Sequence, residues 1–442
     1  MINELTKSIL KLAYPVMLGN ISLILLNVVD TMMVGRISPQ ALAATALGGF
    51  FYFTIAYSIG AIGNGTLAMV ARRYGEKKFK DCGKSLDTSI IVALIFGISI
   101  VLFSWIMVNL MAPILSNDQT VVPLLATYME YRFYGLVFFL LVRVFNGFFA
   151  GIGKTGIRMK ANIILTIANI VLDYLLIFGN LGFPRLGVKG AAIASTISTA
   201  LCTLYFVLVS FLSYKSDYFL FYFKYVDFQT AKRILRLSTP LILQSLVGSG
   251  GYLGFFWIIG RIGTIELAAA NVITSMNSLV SVVYSGLAVA AATLVGQSLG
   301  ERNIGKARGC IFEATKWTGI CMLFFGMIFL VFPSSLIRIY IPSQDVVEVG
   351  IIPLRINAAI VLIYAVGTVL MFALEGAGDT RFTMFAEILI TFIFYLPWVY
   401  LLGIILHWGL VGAYLGEMIY ATSHAVFMGV RLRSDLWTRI EI

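Results

Sequence analysis

The sequence predicts an all-α polytopic membrane protein, with twelve transmembrane helices in two repeated six-helix bundles related by pseudo-two-fold symmetry. The 442 residues are 60% hydrophobic and 12% charged, with a mean hydropathy of +0.93, whereas soluble domains carry about 25% charged residues. Apolar runs long enough to cross a bilayer, about 20 residues each, recur along the chain. The two halves also share motifs at a near-constant offset of 225 residues.

Apolar length and flanking charge predict the spans one after another. The first run is too long for a cleavable signal peptide and no small-residue cleavage site follows it, so we expect it to remain as a membrane helix. The twelve expected spans lie near residues 12–35, 42–69, 88–112, 123–150, 160–180, 188–213, 236–260, 266–296, 313–337, 347–375, 383–404 and 409–430.

Basic residues orient these spans. With a cytosolic amino terminus, 24 of the 32 Lys and Arg residues fall in cytosolic segments and five in outer segments. The positive-inside rule therefore predicts a multi-pass protein of the cell (plasma) membrane with both termini in the cytosol. This orientation, together with contact with anionic membrane lipids, accounts for the net charge of +11, so no nucleic-acid partner is expected.

The internal repeat predicts the domain organisation. Matching positions are 15 with 240, 34–37 with 259–262, 151–155 with 376–380 and, after a short gap, 187–190 with 409–412. Because six spans return the chain to the same side, both halves have the same orientation, as in parallel-repeat secondary transporters with a substrate site between the halves. The expected parts are an amino-terminal lobe (1–213), a cytosolic linker (214–236) and a carboxy-terminal lobe (237–442).

Two acids distinguish the first half from the second. Asp30 lies in the first span and Asp173 in the fifth, whereas the matching positions hold Phe255 and Trp398. A carboxylate in the membrane costs at least about 2.5–3.5 kcal/mol and is functional by default. The repeated scaffold does not require either acid, which favours a function over a structural hydrogen bond.

Counting along the helices places polar groups at a similar depth. At 1.5 Å per residue, Asp30, Asp173 and Thr196 each lie about 9–10 Å below the outer end of their span. Asn169 shares a face with Asp173, one turn away. These four residues predict an oxygen-rich ion-coupling pocket. It suits either a hard cation such as sodium or a proton held between two carboxylates.

The other charged residues in the predicted spans give weaker evidence of a functional site. Glu387 is expected to reach water near the cytosolic end of its span, and Glu417 has no companion carboxylate at its depth. Glu130 and Arg132 are expected to pair with each other at the membrane interface. The two histidines show no metal-ligand spacing, and no nucleophile–base pattern is present, so an intramembrane enzyme is not expected.

Several motifs together resemble a known family. They are Val29–Arg36 followed by Leu42–Ala44, the glycine-rich stretches at 147–153 and 376–378, and Gly187–Ala192. In this order, and over essentially the whole chain, the sequence resembles the multidrug and toxic compound extrusion (MATE) family of efflux transporters. The resemblance implies a cation-coupled antiporter, driven by protons or sodium, that exports drug-like compounds without a cofactor.

The resemblance also implies roles for individual residues. It assigns the ion site to Asp30, Asn169, Asp173 and a hydroxyl at Thr196 or Ser195. Asn146 matches a further polar position of the pocket. Pro15 matches a proline proposed to kink the first helix, although a fixed bend is equally compatible because Pro240 repeats it. Another branch of the family uses acids on helices 7 and 10, and here 239–254 and 357–373 contain none.

Substrate contacts are expected from aromatic, thioether and amide side chains of the first lobe. Aromatic faces attract cations and methionine surfaces accept varied shapes, which suits amphipathic, often cationic drugs. The candidates are Met32, Met33, Phe51, Tyr57, Tyr134, Phe138 and Asn146. We expect a monomer. The alternative is a lipid-linked precursor flippase of related fold, which is disfavoured because such proteins have a strongly cationic cavity and the deep acids here are Asp30 and Asp173.

Overall fold

Long apolar helices make up most of the chain. The structure is a computed structural model that describes residues 4–442, and every regular element in that part is helical. The first half contains α1 (Glu4–Gly35), α2 (Pro39–Gly60), α3 (Ile62–Gly75), α4 (Phe79–Leu115), α5 (Val121–Tyr134), α6 (Leu136–Gly151), α7 (Thr155–Phe178), α8 (Val188–Val209) and the short α9 (Lys215–Tyr218). The second half contains α10 (Phe228–Ile262), α11 (Thr264–Gly300), α12 (Ile304–Val331), α13 (Pro333–Tyr340), α14 (Gln344–Ala377), α15 (Thr380–Leu389), α16 (Leu396–Tyr400) and α17 (Gly409–Arg433).

The helices correspond to the predicted spans. Among residues 4–442, ten helical stretches are long and apolar enough to cross a membrane, and α5 with α6, bent by 47°, forms an eleventh. The twelfth predicted span is α17, which has 25 residues. Glu417 and His424 lower its apolar content. The predicted all-α, multi-pass membrane class is confirmed.

Small residues allow close helix packing, as is common in membrane proteins. A Cβ on Gly147 of α6 would lie 2.0 Å from the carbonyl oxygen of Gly63 on α3, and one on Gly63 would lie 2.3 Å from the carbonyl oxygen of Arg143. No larger side chain fits at either position. The backbones of α3 and α6 are therefore in direct contact.

The described chain divides into two compact units. One contains Leu18–Ile242, and the other contains the described residues up to Met17 together with Leu243–Ile442. The two division points, after Met17 and after Ile242, are 225 residues apart, which is the offset of the internal repeat. Thus α1 and α10, the first helices of the two repeats, each contribute residues to both units.

The linker region packs on the first of these units. The carboxylate of Asp87 on α4 accepts hydrogen bonds from the backbone N–H groups of Phe221 and Tyr222, each at 2.9 Å. Lys84 Nζ lies 2.5 Å from Asp227 Oδ2. These contacts, both from α4, hold the stretch between α8 and α10 against the unit of Leu18–Ile242.

The start of α1 packs within the other unit. Its side chains at Ile9 and Ala13 are fully buried in a cluster with Leu287 of α11. Thr6 Oγ1 donates a hydrogen bond of 2.7 Å to Glu313 Oε2 of α12. Pro15 lies inside α1, two residues before the division point.

Candidate ion-coupling site

The end of α1 that contains Asp30 lies within the unit of Leu18–Ile242. Asp30 is half-buried, and its Oδ1 is enclosed without a hydrogen-bond partner among the described residues. An enclosed carboxylate oxygen without a partner is costly, because its desolvation is not compensated. A proton, a cation or a hydrogen-bond donor that moves into contact would compensate this oxygen.

Asp173 and Asn169 are buried on α7, with exposed fractions of 0% and 2%. With its amide oriented to satisfy both neighbours, Asn169 Nδ2 donates to Asp173 Oδ2 at 3.0 Å, and its Oδ1 accepts from the Ser195 N–H at 3.1 Å. Asp173 Oδ1 is buried without a hydrogen-bond partner in the described chain. Asn169 therefore joins α7 to α8 and leaves one oxygen of Asp173 available.

Close packing of α1 on α7 brings the two acids together. Thr166 Oγ1 donates to the Ser22 carbonyl at 3.1 Å. A Cβ on Gly19 would lie 3.1 Å from Asn162 Nδ2, so the glycine allows the close approach. Further along the same helices, Asp30 and Asp173 lie within electrostatic range of each other.

Arg132 belongs to the same charged cluster as Asp30 and Asp173. The predicted pairing of Arg132 with Glu130 at the interface is wrong: Glu130 Oε1 accepts from the Tyr134 hydroxyl at 2.6 Å. Arg132 is 8% exposed, with its guanidinium carbon 4.2 Å from the centroid of the Tyr52 ring. Residues two apart on a helix do not face each other, and Arg132 instead lies within electrostatic range of Asp30 and Asp173.

On α8, the residue that contacts Asn169 is Ser195. Thr196 Oγ1 donates to the Tyr131 carbonyl at 2.9 Å, so its hydroxyl contacts α5. Ser195, one position earlier, contacts Asn169 through its backbone. Consecutive helix residues point about 100° apart, which is why depth alone could not separate these two candidates.

The charges of this cluster suit one monovalent cation. Two carboxylates and one guanidinium, all ionised, leave one formal negative charge, and each carboxylate has one enclosed oxygen without a partner. Sodium accepts such oxygen ligands, and a proton shared between the acids balances the charge equally well. The residues of the described chain include no group of three His, Cys, Asp or Glu that could hold a metal ion.

The candidate substrate residues are distributed over several environments. Met32, Tyr57 and Tyr134 are 58%, 46% and 44% exposed. Asn146 is buried, and its Oδ1 has no partner within residues 4–442. The partly buried members are Met33, Phe51 and Phe138, of which Met33 and Phe51 pack against apolar clusters.

Glu387 is buried rather than in contact with water, contrary to the prediction. It is 5% exposed and accepts a hydrogen bond of 2.8 Å from the Tyr420 hydroxyl. His424 Nε2 lies 3.8 Å from Glu387 Oε2. The two residues lie on different helices, α15 and α17, so no local sequence pattern shows that they meet.

Comparison with solved structures shows the fold. An outward-facing structure of a multidrug resistance MATE family transporter of the MOP superfamily superposes with a TM-score of 0.89 and 22% identity, over 99% of this chain and 97% of that one. A MOP superfamily transporter from Pyrococcus furiosus gives a TM-score of 0.88 and 22% identity, over 97% and 95%. The predicted class of twelve helices in two bundles is confirmed.

Sequence comparison shows the family. Proteins named as probable multidrug resistance protein NorM are 26% identical in Thermotoga maritima, over 93% of this chain and 89% of the relative, and 23% identical in Bacillus licheniformis, over 98% and 96%. The MatE family model matches residues 15–175 and 240–401, one match in each repeat. The chain therefore belongs to the MatE family of membrane transporters, which are not enzymes.

Proposed function

We propose that the chain is a cation-coupled antiporter that exports amphipathic, often cationic drugs by alternating access, with its ion site at Asp30 and Asp173. The observation that carries the proposal is the pair of enclosed, unpartnered carboxylate oxygens beside Arg132. The repeat supports it, because Phe255 and Trp398 stand at the matching positions. The relatives' names, which indicate multidrug resistance, support drug export.

In this mechanism the ion changes how α1 packs on α7. A proton or sodium ion at Asp30 and Asp173 offsets the repulsion between the two carboxylates and favours their closer approach. Because α1 also contributes residues up to Met17 to the other unit, a change at its Asp30 end alters a helix shared by both units. Pro15, which interrupts the backbone hydrogen bonds of α1, is the proposed hinge. Coupling requires that the ion bind one conformation more tightly than the other.

The drug binds among the aromatic, methionine and amide side chains named above and leaves when the ion enters. Asn169 orients Asp173 in this scheme, and the α8 hydroxyls at Ser195 and Thr196 supply further polar groups. The proposal also includes a monomer in the plasma membrane with both termini in the cytosol, for which the distribution of basic residues is the support.

One observation favours the flippase alternative. Arg143 and Arg158 lie within electrostatic range of each other without a carboxylate partner among the described residues, and Arg158 Nε is enclosed without a hydrogen-bond partner. Arg143 Nε donates to the Gly60 carbonyl at 3.3 Å, and Arg143 Nη2 donates to Asn64 Oδ1 at 3.5 Å. Such a pair could hold the phosphate of a lipid-linked precursor. Movement of a fluorescent lipid-linked phosphate between leaflets, without ethidium export, would favour this function.

The test is ethidium efflux from proteoliposomes under a proton gradient alone and under a sodium gradient alone. The proposal predicts that one gradient drives efflux in the wild type and that Asp30→Asn reduces this efflux at least about 10-fold. Asp217→Asn, an exposed acid outside the cluster, is the matched control and should export at the wild-type rate. Equal rates in Asp30→Asn and Asp217→Asn would exclude Asp30 as the coupling residue.

A further inference from the structure

A buried acid–base pair, Glu387 and His424, lies in the unit that contains Leu243–Ile442. Their exposed fractions are 5% and 1%. Glu387 Oε1 accepts from the Tyr420 hydroxyl at 2.8 Å, and Glu387 Oε2 lies 3.8 Å from His424 Nε2. We call Glu387 and His424 the dyad. A carboxyl and an imidazole thus meet deep in the helices, where neither reaches water.

Within the described part of the chain, the surroundings of the dyad contain hydroxyl groups and aromatic rings but no cation. No Lys or Arg of the described chain forms an ion pair with Glu387 or contributes to its electrostatic environment. Among the described residues, Glu417 is the other carboxylate within electrostatic range of Tyr364 and Tyr395, the two rings that pack on Tyr420. The groups that face the dyad are Tyr364 and Gly367 of α14, Thr391 of the π-helical stretch after α15, Tyr420 of α17 and Gly248 of α10.

The dyad has an unsatisfied hydrogen-bonding capacity. His424 Nδ1 is buried without a partner among residues 4–442, and Nε2 lies beyond hydrogen-bond distance from the carboxylate. A neutral imidazole has one donor and one acceptor nitrogen, and a protonated one has two donors. With one added proton the pair is neutral overall, as imidazolium and carboxylate or as imidazole and carboxylic acid, and Oε2 and Nε2 can share a hydrogen bond. Loss of that proton leaves a neutral imidazole beside a carboxylate.

The repeat argues against a structural requirement for these residues. With the offset of 225 that holds around 151–155, Glu387 corresponds to Asn162. With the offset of 222 that holds from Gly187 and Gly409 onward, His424 corresponds to Cys202. The first lobe folds with an amide and a thiol at these buried positions, so the acid and the base are specific to the second lobe.

We propose that Glu387 and His424 form a second proton-binding site, which takes up and releases a proton during the transport cycle. A proton fits better than sodium, because one of the two groups is an imidazole and hard cations prefer oxygen ligands. This inference goes beyond the proposed function, since it does not depend on Asp30 and Asp173 being the ion site. It places a titratable site in each half of the repeat.

The histidine content makes a direct test possible. The chain has two histidines, His407 and His424, so ¹⁵N-histidine labelling of His407→Gln in nanodiscs leaves the single imidazole of His424. We expect its nitrogen shifts to change with pH, and the midpoint to move by at least about half a pH unit in Glu387→Gln, a threefold change in proton affinity. A midpoint common to both proteins, or shifts that do not change between pH 4.5 and 9, would overturn the proposal.

Two further measurements keep the proposal testable if Glu387→Gln does not fold. Tyr420→Phe retains both members of the dyad and removes only the hydroxyl donor to Glu387, so it should move the same midpoint by a smaller amount. Proton release on ethidium binding, measured in weak buffer, should fall in Glu387→Gln and not in Glu348→Gln, an exposed control on α14. Equal proton release in both variants would count against the dyad. The titration needs no transport, so it remains decisive even if ethidium is not exported.

Discussion

Asn169 lies one helical turn before Asp173 on α7 and donates to its carboxylate at 3.0 Å. It is the hydrogen-bond donor that the described residues offer to this buried acid. Hydrogen bonds to charged groups contribute about 1.5–3 kcal/mol, and Asn169 also contacts α8 through the Ser195 backbone N–H. The orientation of Asp173 in the proposed ion site therefore depends on this amide.

We expect Asn169→Ala to reduce cation-coupled ethidium efflux by about 10-fold or more, because Asp173 loses a donor worth about 1.5–3 kcal/mol. Thr199→Val is the control, since the Thr199 hydroxyl donates to the Ser195 carbonyl of its own helix rather than to an acid, and it should retain efflux within about twofold. Initial rates in proteoliposomes measure both. Equal losses in the two variants would show that the amide has no special role.

We expect Arg132→Gln to increase the affinity of the proposed site for its coupling cation. The substitution removes the positive charge within electrostatic range of Asp30 and Asp173, and a unit charge about 8 Å away contributes roughly 2 kcal/mol at an effective dielectric constant of about 20. The half-saturating concentration of the coupling ion should fall roughly 30-fold. Arg132→Lys retains the charge and should change it less. An unchanged half-saturation in Arg132→Gln would remove Arg132 from the site.

Gly147→Ala should destabilise the first unit, because its Cβ would lie 2.0 Å from the Gly63 carbonyl oxygen. Gly156→Ala is the matched control: it also lies in a helix, and nothing is within 4 Å of its added Cβ. Size-exclusion profiles and melting temperatures in detergent compare the two. We expect Gly147→Ala to lower the monodisperse yield severalfold and Gly156→Ala to leave it unchanged. Comparable yields would contradict the tight α3–α6 contact.

The ion pair between Lys84 and Asp227, outside the membrane-spanning part, makes the stability of the folded protein depend on pH. Hydrogen bonds from Lys84 and from Thr230 lower the pKa of Asp227 to about 2. Because the pKa in the folded state lies below its ordinary value, the stabilisation is present at neutral pH and is lost as the pH falls from about 4 towards 2. The side chains are 28% and 44% exposed, so the contribution is at most about 1 kcal/mol.

Asp227→Asn should therefore lower the melting temperature slightly at pH 7, by no more than about 2 °C, with a difference that shrinks below pH 4. Melting curves of both proteins between pH 3 and 7 measure this. A difference that grew on acidification would contradict the assigned pairing.

The helices and the candidate acids could be predicted from the sequence, because both predictions depend only on counting residues along the chain. Span length and the 225-residue repeat need only the order of residues, and a rise of 1.5 Å per residue gives depth. Depth along a helix does not give the rotation of a residue about the helix axis. The sequence therefore pairs Arg132 wrongly with Glu130 and leaves Ser195 and Thr196 as alternatives. The contact between Glu387 and His424 depends on how α15 packs on α17, and neighbouring residues in the sequence do not reveal it.

The most direct test of the central claim is ion movement driven by drug. Proteoliposomes receive an ethidium gradient, and internal pH or sodium uptake is recorded for the wild type, Asp30→Asn and Asp173→Asn. If Asp30 and Asp173 hold the coupling ion, the ethidium gradient drives either protons or sodium across the membrane in the wild type. In both variants, ethidium should cross with little or no movement of that ion. Wild-type ion movement in both variants would contradict the assignment of the ion site to this pair.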